Sequence, residues 1–457
     1  MKQQNKLFTL FEMFIFTIVM TDIPILTEQP SRRLNYVLDF INSQYSDLRL
    51  VAVQIPIISV PGEPLLIYSD LPPTEGIYIA SCGYLKDGAD MPKSKLVKSF
   101  PMPYIFPAQH KDLFGFDIFA AIFWMLSRTE EYGPIKTDEH GRFEANNSAA
   151  HLAGILKLPI VDHWVGELVK SLNKLFGKDF QRNPQKQTFK LTVDVDQAYK
   201  FIHKPVWKNL GALLMDFLTF EWDELANRFS ILSQKKIDPF DSYDQILNFD
   251  LPKDSLFFFF LCGGTSKFDA HLDIRTRPIQ KLIEKIKAKA LIGIHPSYSA
   301  STNQTELSNE KQILEKVAGE KITRSRQHYL KLTFPETYRM LIDVGINEDY
   351  TMGFSDETGF RAGTCHSFLW YDLIKDEVSN LRIHPLIAMD RTYLNYMKLR
   401  PKEAIEDMIL LYQNCKHFGG TFQLLWHNSS FDFEGEWKGW ENVLDEIMKF
   451  HFSEEHL

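Results

Sequence analysis

Leu191-Thr192-Val193-Asp194-Val195-Asp196 is a β-branched run that ends in two carboxylates. Side chains alternate faces along a strand, so Asp194 and Asp196 point the same way at its C-terminal end. Two carboxylates on one face repel. They stay ionised together only beside a cation, and otherwise one takes up a proton. The pair suits a metal ligand next to a general base. The plainer reading is a strand running into an acidic turn, because Asp is common where strands stop. The downstream residues favour the metal.

Upstream, the polar, Pro-containing segment Lys178 to Gln187 reads as an interdomain linker. Downstream, strands and helices alternate. Strand Thr188 to Val195 leads into helical material from Leu210 to Ser233. Strand Ser255 to Leu261, with Phe257 to Phe260 as a buried run, precedes a helix from Pro278 to Ala288. Strand Leu291 to Ile294 ends at His295, and helix Glu306 to Val317 stops at Ala318-Gly319. Further strands are expected near Ile322 to Arg324, Leu386 to Met389 and Gly420 to Leu425, with a last helix from Trp437 to Phe450. Repeated β-α units imply a parallel sheet, open or closed into a barrel, with its site at the strands' C-terminal ends. Asp194, Asp196, His295 and His427 all sit there, on three different strands.

Before the linker, Leu34, Val37, Leu38 and Ile41 mark a helix over Arg32 to Gln44, and Leu50 to Ile58 is strand-like. Phe116, Phe119, Ala120, Phe123 and Leu126 share one helical face. That helix is expected to run on through Glu130-Glu131, a solvated acidic end, and stop at Gly133-Pro134. Asp162-His163-Trp164 can be read either way. The expected organisation is a short apolar extension over 1–20, a smaller α/β domain over 21–180, and a parallel α/β domain over 188–457, open or closed into a (β/α) barrel.

The chain has 457 residues, 44% hydrophobic and 24% charged, which is ordinary globular composition. A formal charge of −8 argues against a nucleic-acid partner, which would call for a basic face. The four cysteines Cys82, Cys262, Cys365 and Cys415 have no C-x-x-C spacing, so neither a disulfide framework nor a thiolate zinc site is expected. At the N-terminus, Leu7 to Met20 resembles a signal-peptide apolar region, but Glu12 interrupts it and no small-x-small cleavage site comes after it. The uninterrupted apolar run is shorter than the ~20 residues of a membrane span. No transmembrane span is therefore expected. A signal peptide and an upstream extension with translation starting at Met20 both stay open, so the location is cytoplasmic or peripheral unless the segment directs export.

These residues, in this order, resemble the polysaccharide deacetylases of carbohydrate esterase family 4, the NodB-like domains. Thr192-Val193-Asp194-Val195-Asp196 is similar to the family's first motif with one residue inserted between the aspartates. Gly293-Ile294-His295 resembles the start of the second motif, with Ser299 where its second His belongs. Arg326-Gln327-His328-Tyr329 resembles the third motif, and Leu425-Trp426-His427 the fifth. The strings at His295, Arg326 and Gly359 match more closely a bacterial subfamily in which such a domain follows an N-terminal domain of unknown role. The resemblance spans roughly Thr188 to Leu457; it is the order of the motifs, each of them loose, that is specific.

The resemblance implies a metal-dependent hydrolase acting on an acetylated polysaccharide or oligosaccharide. The chemistry agrees, since acyl hydrolysis needs an activated water, a base, an acid and an oxyanion donor. Asp196 and His295 are assigned to one divalent metal and Asp194 to the base, with Arg326 holding Asp194 ionised. His427 is the acid, with Asp390 as its partner, and the Tyr329 backbone N–H resembles the family's oxyanion donor. The third ligand is His328, His271 or water; His203, His366 and His384 are further histidines. Imidazole with carboxylate suits zinc, or else cobalt or nickel. Arg361, Trp370 and Asp390 are expected along the sugar cleft. The alternative is a catalytically degenerate protein that binds glycan on the same fold.

Overall fold

The computed structural model describes residues 20–455 except 56–63, 98, 100–101, 184–188, 265 and 270. The apolar N-terminal stretch to residue 19 and the end of the expected linker lie outside the described residues. By internal contacts the chain forms two compact units. The first comprises residues up to 89, 106–123 and 165–184, and the second 90–105, 124–164 and 185–457.

The first unit holds a parallel sheet of β1 (Thr21–Thr27), β2 (Leu48–Gln54), β3 (Leu66–Ser69) and β4 (Ile77–Ala80) in the order β2-β1-β3-β4. Between β1 and β2 runs the helix Arg32–Asn42. Ser31 caps it by accepting from Leu34 N at 3.1 Å, and it buries Leu34, Val37, Leu38 and Ile41 as their spacing predicts.

The second unit contains β5 (Phe189–Val195), β6 (Leu256–Leu261), β7 (Leu291–His295), β8 (Arg324–Ser325), β9 (Glu348–Asp349), β10 (Phe368–Asp372), β11 (Glu377–Ile383), β12 (Ala388–Met389) and β13 (Phe422–His427). Their order is β10-β11-β9-β8-β7-β6-β5-β13-β12, and every pairing is parallel except β10 with β11.

This sheet is rolled up. Three strand spacings of ~4.8 Å would hold β5 and β8 about 14 Å apart in a flat sheet. Yet Arg326, just past β8, donates from Nη2 to Thr192 Oγ1 on β5 at 2.8 Å. Phe259 of β6 meets Tyr350, just past β9, with ring centroids 5.2 Å apart. The backbone closes the roll with one segment. Arg382 and Ile383 of β11 pair with β9, Leu386 N donates to Met352 O, and Ala388 and Met389 of β12 pair with β13. The result is a deformed (β/α) barrel, the closed one of the two arrangements that the alternation allows and the one that the family resemblance implies. Its inside is packed with Phe257 and Phe259 against Tyr350, all buried. Gly293 on β7 is required there, because a Cβ would lie 2.5 Å from the Phe259 ring.

Helices Arg277–Lys289, Gln304–Ala318, Glu336–Asp343 and Pro401–His417 follow β6, β7, β8 and β12 in turn. Gln304–Ala318 starts where Asn303 accepts from Thr305 N and Glu306 N and ends at Gly319, whose φ of 67° favours glycine. Among the described residues no helix is long and apolar enough to cross a membrane.

The helical material expected from Leu210 to Ser233 is a pair of helices, Val206–Leu218 and Trp222–Leu232, separated where Phe220 takes a φ of 59°. One expectation fails. The Phe116-to-Leu126 helix does not run on through Glu130-Glu131. It ends at Leu126, Arg128 is left-handed, and Glu131 is buried rather than solvated. Glu131 accepts from Arg128 Nε at 2.8 Å and Arg361 Nε at 3.0 Å. Reading an acidic pair at a helix end as surface overlooks the two arginines, one of them far along the chain.

Candidate active site

β5, β7, β8 and β13 end at one cleft of about 430 Å3, lined among others by Asp194, Asp196, His295, His328, Tyr329 and His427. Parallel pairing puts all these strand ends on the same side of the barrel, which is why residues more than 200 positions apart in sequence converge.

His295 closes β7 with Nδ1 at 2.6 Å from Arg326 O. A carbonyl only accepts, so Nδ1 carries the hydrogen and the lone pair of neutral His295 is on Nε2. That Nε2 lies 3.2 Å from Asp196 Oδ1 and 3.6 Å from Asp194 Oδ2. His328 repeats the arrangement, with Nδ1 at 3.1 Å from Asp269 Oδ1 and Nε2 at 3.7 Å from Asp196 Oδ1. One ligand atom from each of Asp196, His295 and His328 fits within a 4.8 Å cluster. With both imidazoles neutral, their lone pairs and a carboxylate oxygen have no proton to share among them, whereas a divalent cation satisfies all three. The donor set therefore fits a metal.

The electrostatics fit as well. Burial raises the Asp196 pKa, but His328, His295 and His427 outweigh it and hold the carboxyl well below the usual range. Burial lowers the His295 pKa, and Asp194 and Asp196 more than reverse that. Asp194 is buried with Arg326 Nε at 3.7 Å from its Oδ1, and that oxygen has no hydrogen-bond partner.

On the next strand, His427 Nδ1 is 2.8 Å from Asp390 Oδ1, while His427 N and Ser430 Oγ donate to Asp390 Oδ2, each at 2.6 Å. Burial opposes the imidazolium, but Asp390, its hydrogen bond, and then Asp196 and Asp194 push the His427 pKa up to about 9. The imidazole Nε2 lies 4.0 Å from Asp196 Oδ2, so a protonated histidine faces the carboxylates. Tyr329 is left-handed (φ 60°) at the cleft wall.

Ser299, at the position of the family's second histidine, touches Ser297 Oγ at 3.5 Å and is not in the cluster. His271 lies in a neighbouring cavity and not in the cluster either. Of the remaining histidines, His384 stacks on Tyr350 with Nε2 at 3.2 Å from Glu348, and burial pushes its pKa down to about 4. His203 packs edge-on against Tyr199. Asp162, Cys365 and His366 also lie close together. The Asp162 carboxylate is already taken up by Thr364 Oγ1 at 2.6 Å and Cys365 N at 2.9 Å, and His366 Nε2 contacts Phe418 O at 3.1 Å.

Arg361 and Trp370 are not in the cleft. Arg361 is buried against Glu131 and donates to Gly353 O at 2.7 Å, and Trp370 packs on Tyr338 in the core. The expectation of substrate contact takes their neighbours in sequence for neighbours in space. The arginines that line the cleft are Arg142 and Arg391, and its aromatic lining is Phe240, Phe268, Tyr329 and Tyr396. Arg142 donates to Tyr329 O at 3.0 Å and Tyr396 Oη at 3.1 Å, and is clamped by Asp138 at 2.7 Å. Neither Arg142 nor Asp269 carries a motif. Asp269 fits because Gly264, at φ 91°, leaves room where a Cβ would lie 2.5 Å from its carboxyl.

Residues 23–177 match the model of a family of unknown function, DUF7033. No curated protein matches the chain. Among solved structures, a putative polysaccharide deacetylase from Mycobacterium smegmatis is similar at 16% identity, over 58% of this chain and 86% of its own, with a TM-score of 0.36. A probable polysaccharide deacetylase from Pseudomonas aeruginosa PAO1 is similar at 9% identity, over 58% and 84%, with a TM-score of 0.36. A pseudoenzyme of carbohydrate esterase family 4 from Bacillus anthracis is similar at 10% identity, over 58% and 62%, with a TM-score of 0.27.

Proposed function

We propose that the chain is a metal-dependent hydrolase that removes N-acetyl or O-acetyl groups from a sugar of a surface polysaccharide or its precursor. The observation that carries this reading is the convergence of Asp196, His295 and His328 on one point, beside Asp194 and opposite the Asp390–His427 pair. Asp196, His295 and His328 would hold the ion, with zinc best suited to the donor set and cobalt or nickel next. When bound, such an ion supplies a Lewis acid that polarises the acetyl carbonyl and acidifies water.

The protein's own groups do the rest. Asp194, with Arg326 Nε 3.7 Å from its Oδ1, takes the proton of the attacking water. The Tyr329 N–H donates to the developing oxyanion. His427 delivers a proton to the leaving nitrogen, its ring fixed by Asp390. Phe268, Tyr329 and Tyr396 offer flat faces for a sugar ring, and Arg142 a fixed donor for an acyl or acidic substituent.

Ser299 in place of a second motif histidine favours one other reading, a glycan-binding protein that has lost turnover. Acetate release decides between them. Protein loaded with zinc should liberate acetate from N-acetylhexosamine oligosaccharides or from an aryl acetate, and Asp194→Asn should abolish this while sparing metal. Bound metal with no acetate from any amide or ester would favour the binding protein.

A further inference from the structure

Val206–Leu218 and Trp222–Leu232 form a helical hairpin whose polarity is reversed relative to an ordinary surface helix. Part of its polar set faces inward. Asp216 and Arg228 pair at 2.7 Å with side chains 14% and 10% exposed, and buried Asn209 donates to Phe201 O at 3.1 Å. Its apolar groups face outward. Trp207, Leu210, Leu214 and Leu218 recur at helical spacing on one stripe and are all exposed, as are Trp222 and Phe229 of the second helix. Of the 22 large apolar side chains exposed among the described residues, 11 fall within residues 207–237. An apolar patch concentrated in this way marks a surface that something covers.

The charges at the two ends of the hairpin indicate what covers it. Its turn carries exposed Glu221 and Asp223, and its base, where the second helix leaves, carries exposed Lys235 beside Lys236, whose Nζ also pairs with Glu434 at 2.5 Å. A second hairpin laid antiparallel across the first, about a two-fold axis, sets the acids of each copy against the lysines of the other. The apolar stripes then meet along their length as a four-helix layer. The exposed stripe is of the order of the ~800 Å2 per partner that a stable interface needs. An anionic bilayer, by contrast, would meet the acidic turn of a chain whose net charge is already −8.

We propose that the hairpin Val206–Leu232 is an isologous interface between two copies of this chain. The inference is independent of the catalytic reading above. On its inner side Asn209 and Arg228 line a cavity that shares Gln197 with the active-site cleft, so pairing would steady one wall of that cleft.

Light scattering on the eluting full-length chain tests this. The wild type should run at twice 53.2 kDa at micromolar concentration. Leu214→Glu with Trp222→Glu should run as a monomer with unchanged far-ultraviolet circular dichroism. Glu221→Lys should weaken the dimer at least tenfold, and adding Lys235→Glu should restore it, because the two charges exchange partners across the two-fold axis. A monomeric wild type, or a dimer indifferent to Leu214→Glu with Trp222→Glu, overturns the proposal. So does a monomer that floats with phosphatidylcholine–phosphatidylglycerol vesicles, which would give the stripe to lipid.

Discussion

His328 Nδ1 lies 3.1 Å from Asp269 Oδ1, and the ring so held turns its Nε2 toward Asp196. Asp269 is itself fixed by Tyr298 N at 2.8 Å and Ser266 Oγ at 2.6 Å. A loop carboxylate thus orients a histidine from the segment after β8 toward Asp196 and His295, while Ser299 of the segment after β7 stays outside the cluster.

The first prediction rests on that contact. Asp269→Asn should weaken metal binding by ~10–100-fold, the usual effect of removing a partner that orients a ligand. His328→Ala should cost more than that, and Ser299→His should change little, since Ser299 does not join the cluster. Isothermal titration with zinc gives all three affinities. Equal affinity for wild type and His328→Ala would remove His328 from the site.

The second prediction concerns pH. The raised His427 pKa means that the proton is present below about 9 and lost as pH rises through that value. A bound cation would offset the pull of Asp196 and Asp194, leaving Asp390 as the main support. Asp390→Asn should therefore draw the alkaline limb of the kcat profile on an amide substrate down toward the ordinary histidine value of ~6.5. A limb that stays in place would show that His427 is not the acid.

The barrel is legible in the sequence because β-α alternation and strand-end polar residues are local patterns. Asp194, Asp196, His295 and His427 each stand one or two residues from the end of a run that sequence alone marks as a strand. Asp269, Arg142 and the true setting of Arg361 are not legible in that way. Each depends on a contact across dozens to hundreds of positions: Asp269 with His328, Arg142 with Tyr329 and Arg361 with Glu131. Trp370 misleads for the same reason, since an aromatic beside a Gly-rich loop looks alike whether it faces sugar or core. The turn inside the helical material is not legible, because Thr219-Phe220-Glu221 contains neither Gly nor Pro to announce it.

A third prediction separates stability from function. Arg361→Ala leaves the buried Glu131 with Arg128 alone, and breaking a buried pair costs about 3–5 kcal/mol. Urea unfolding should show that loss. The zinc affinity of the folded fraction should not move, because Arg361 lies outside the cleft. A large affinity change at unchanged stability would return Arg361 to the substrate site.

A fourth prediction concerns the acid's role on different substrates. His427→Ala should slow hydrolysis of an N-acetyl sugar far more than that of an aryl acetate, whose leaving group needs little protonation. Equal loss on both would make His427 structural.

The most direct test of the metal centre is the metal content of the purified protein, with anomalous scattering to place the ion. The geometry predicts about one divalent transition metal per chain between Asp196, His295 and His328, lost in His295→Ala and in Asp196→Ala. Full metal retained in both variants, or an ion located elsewhere, would contradict it.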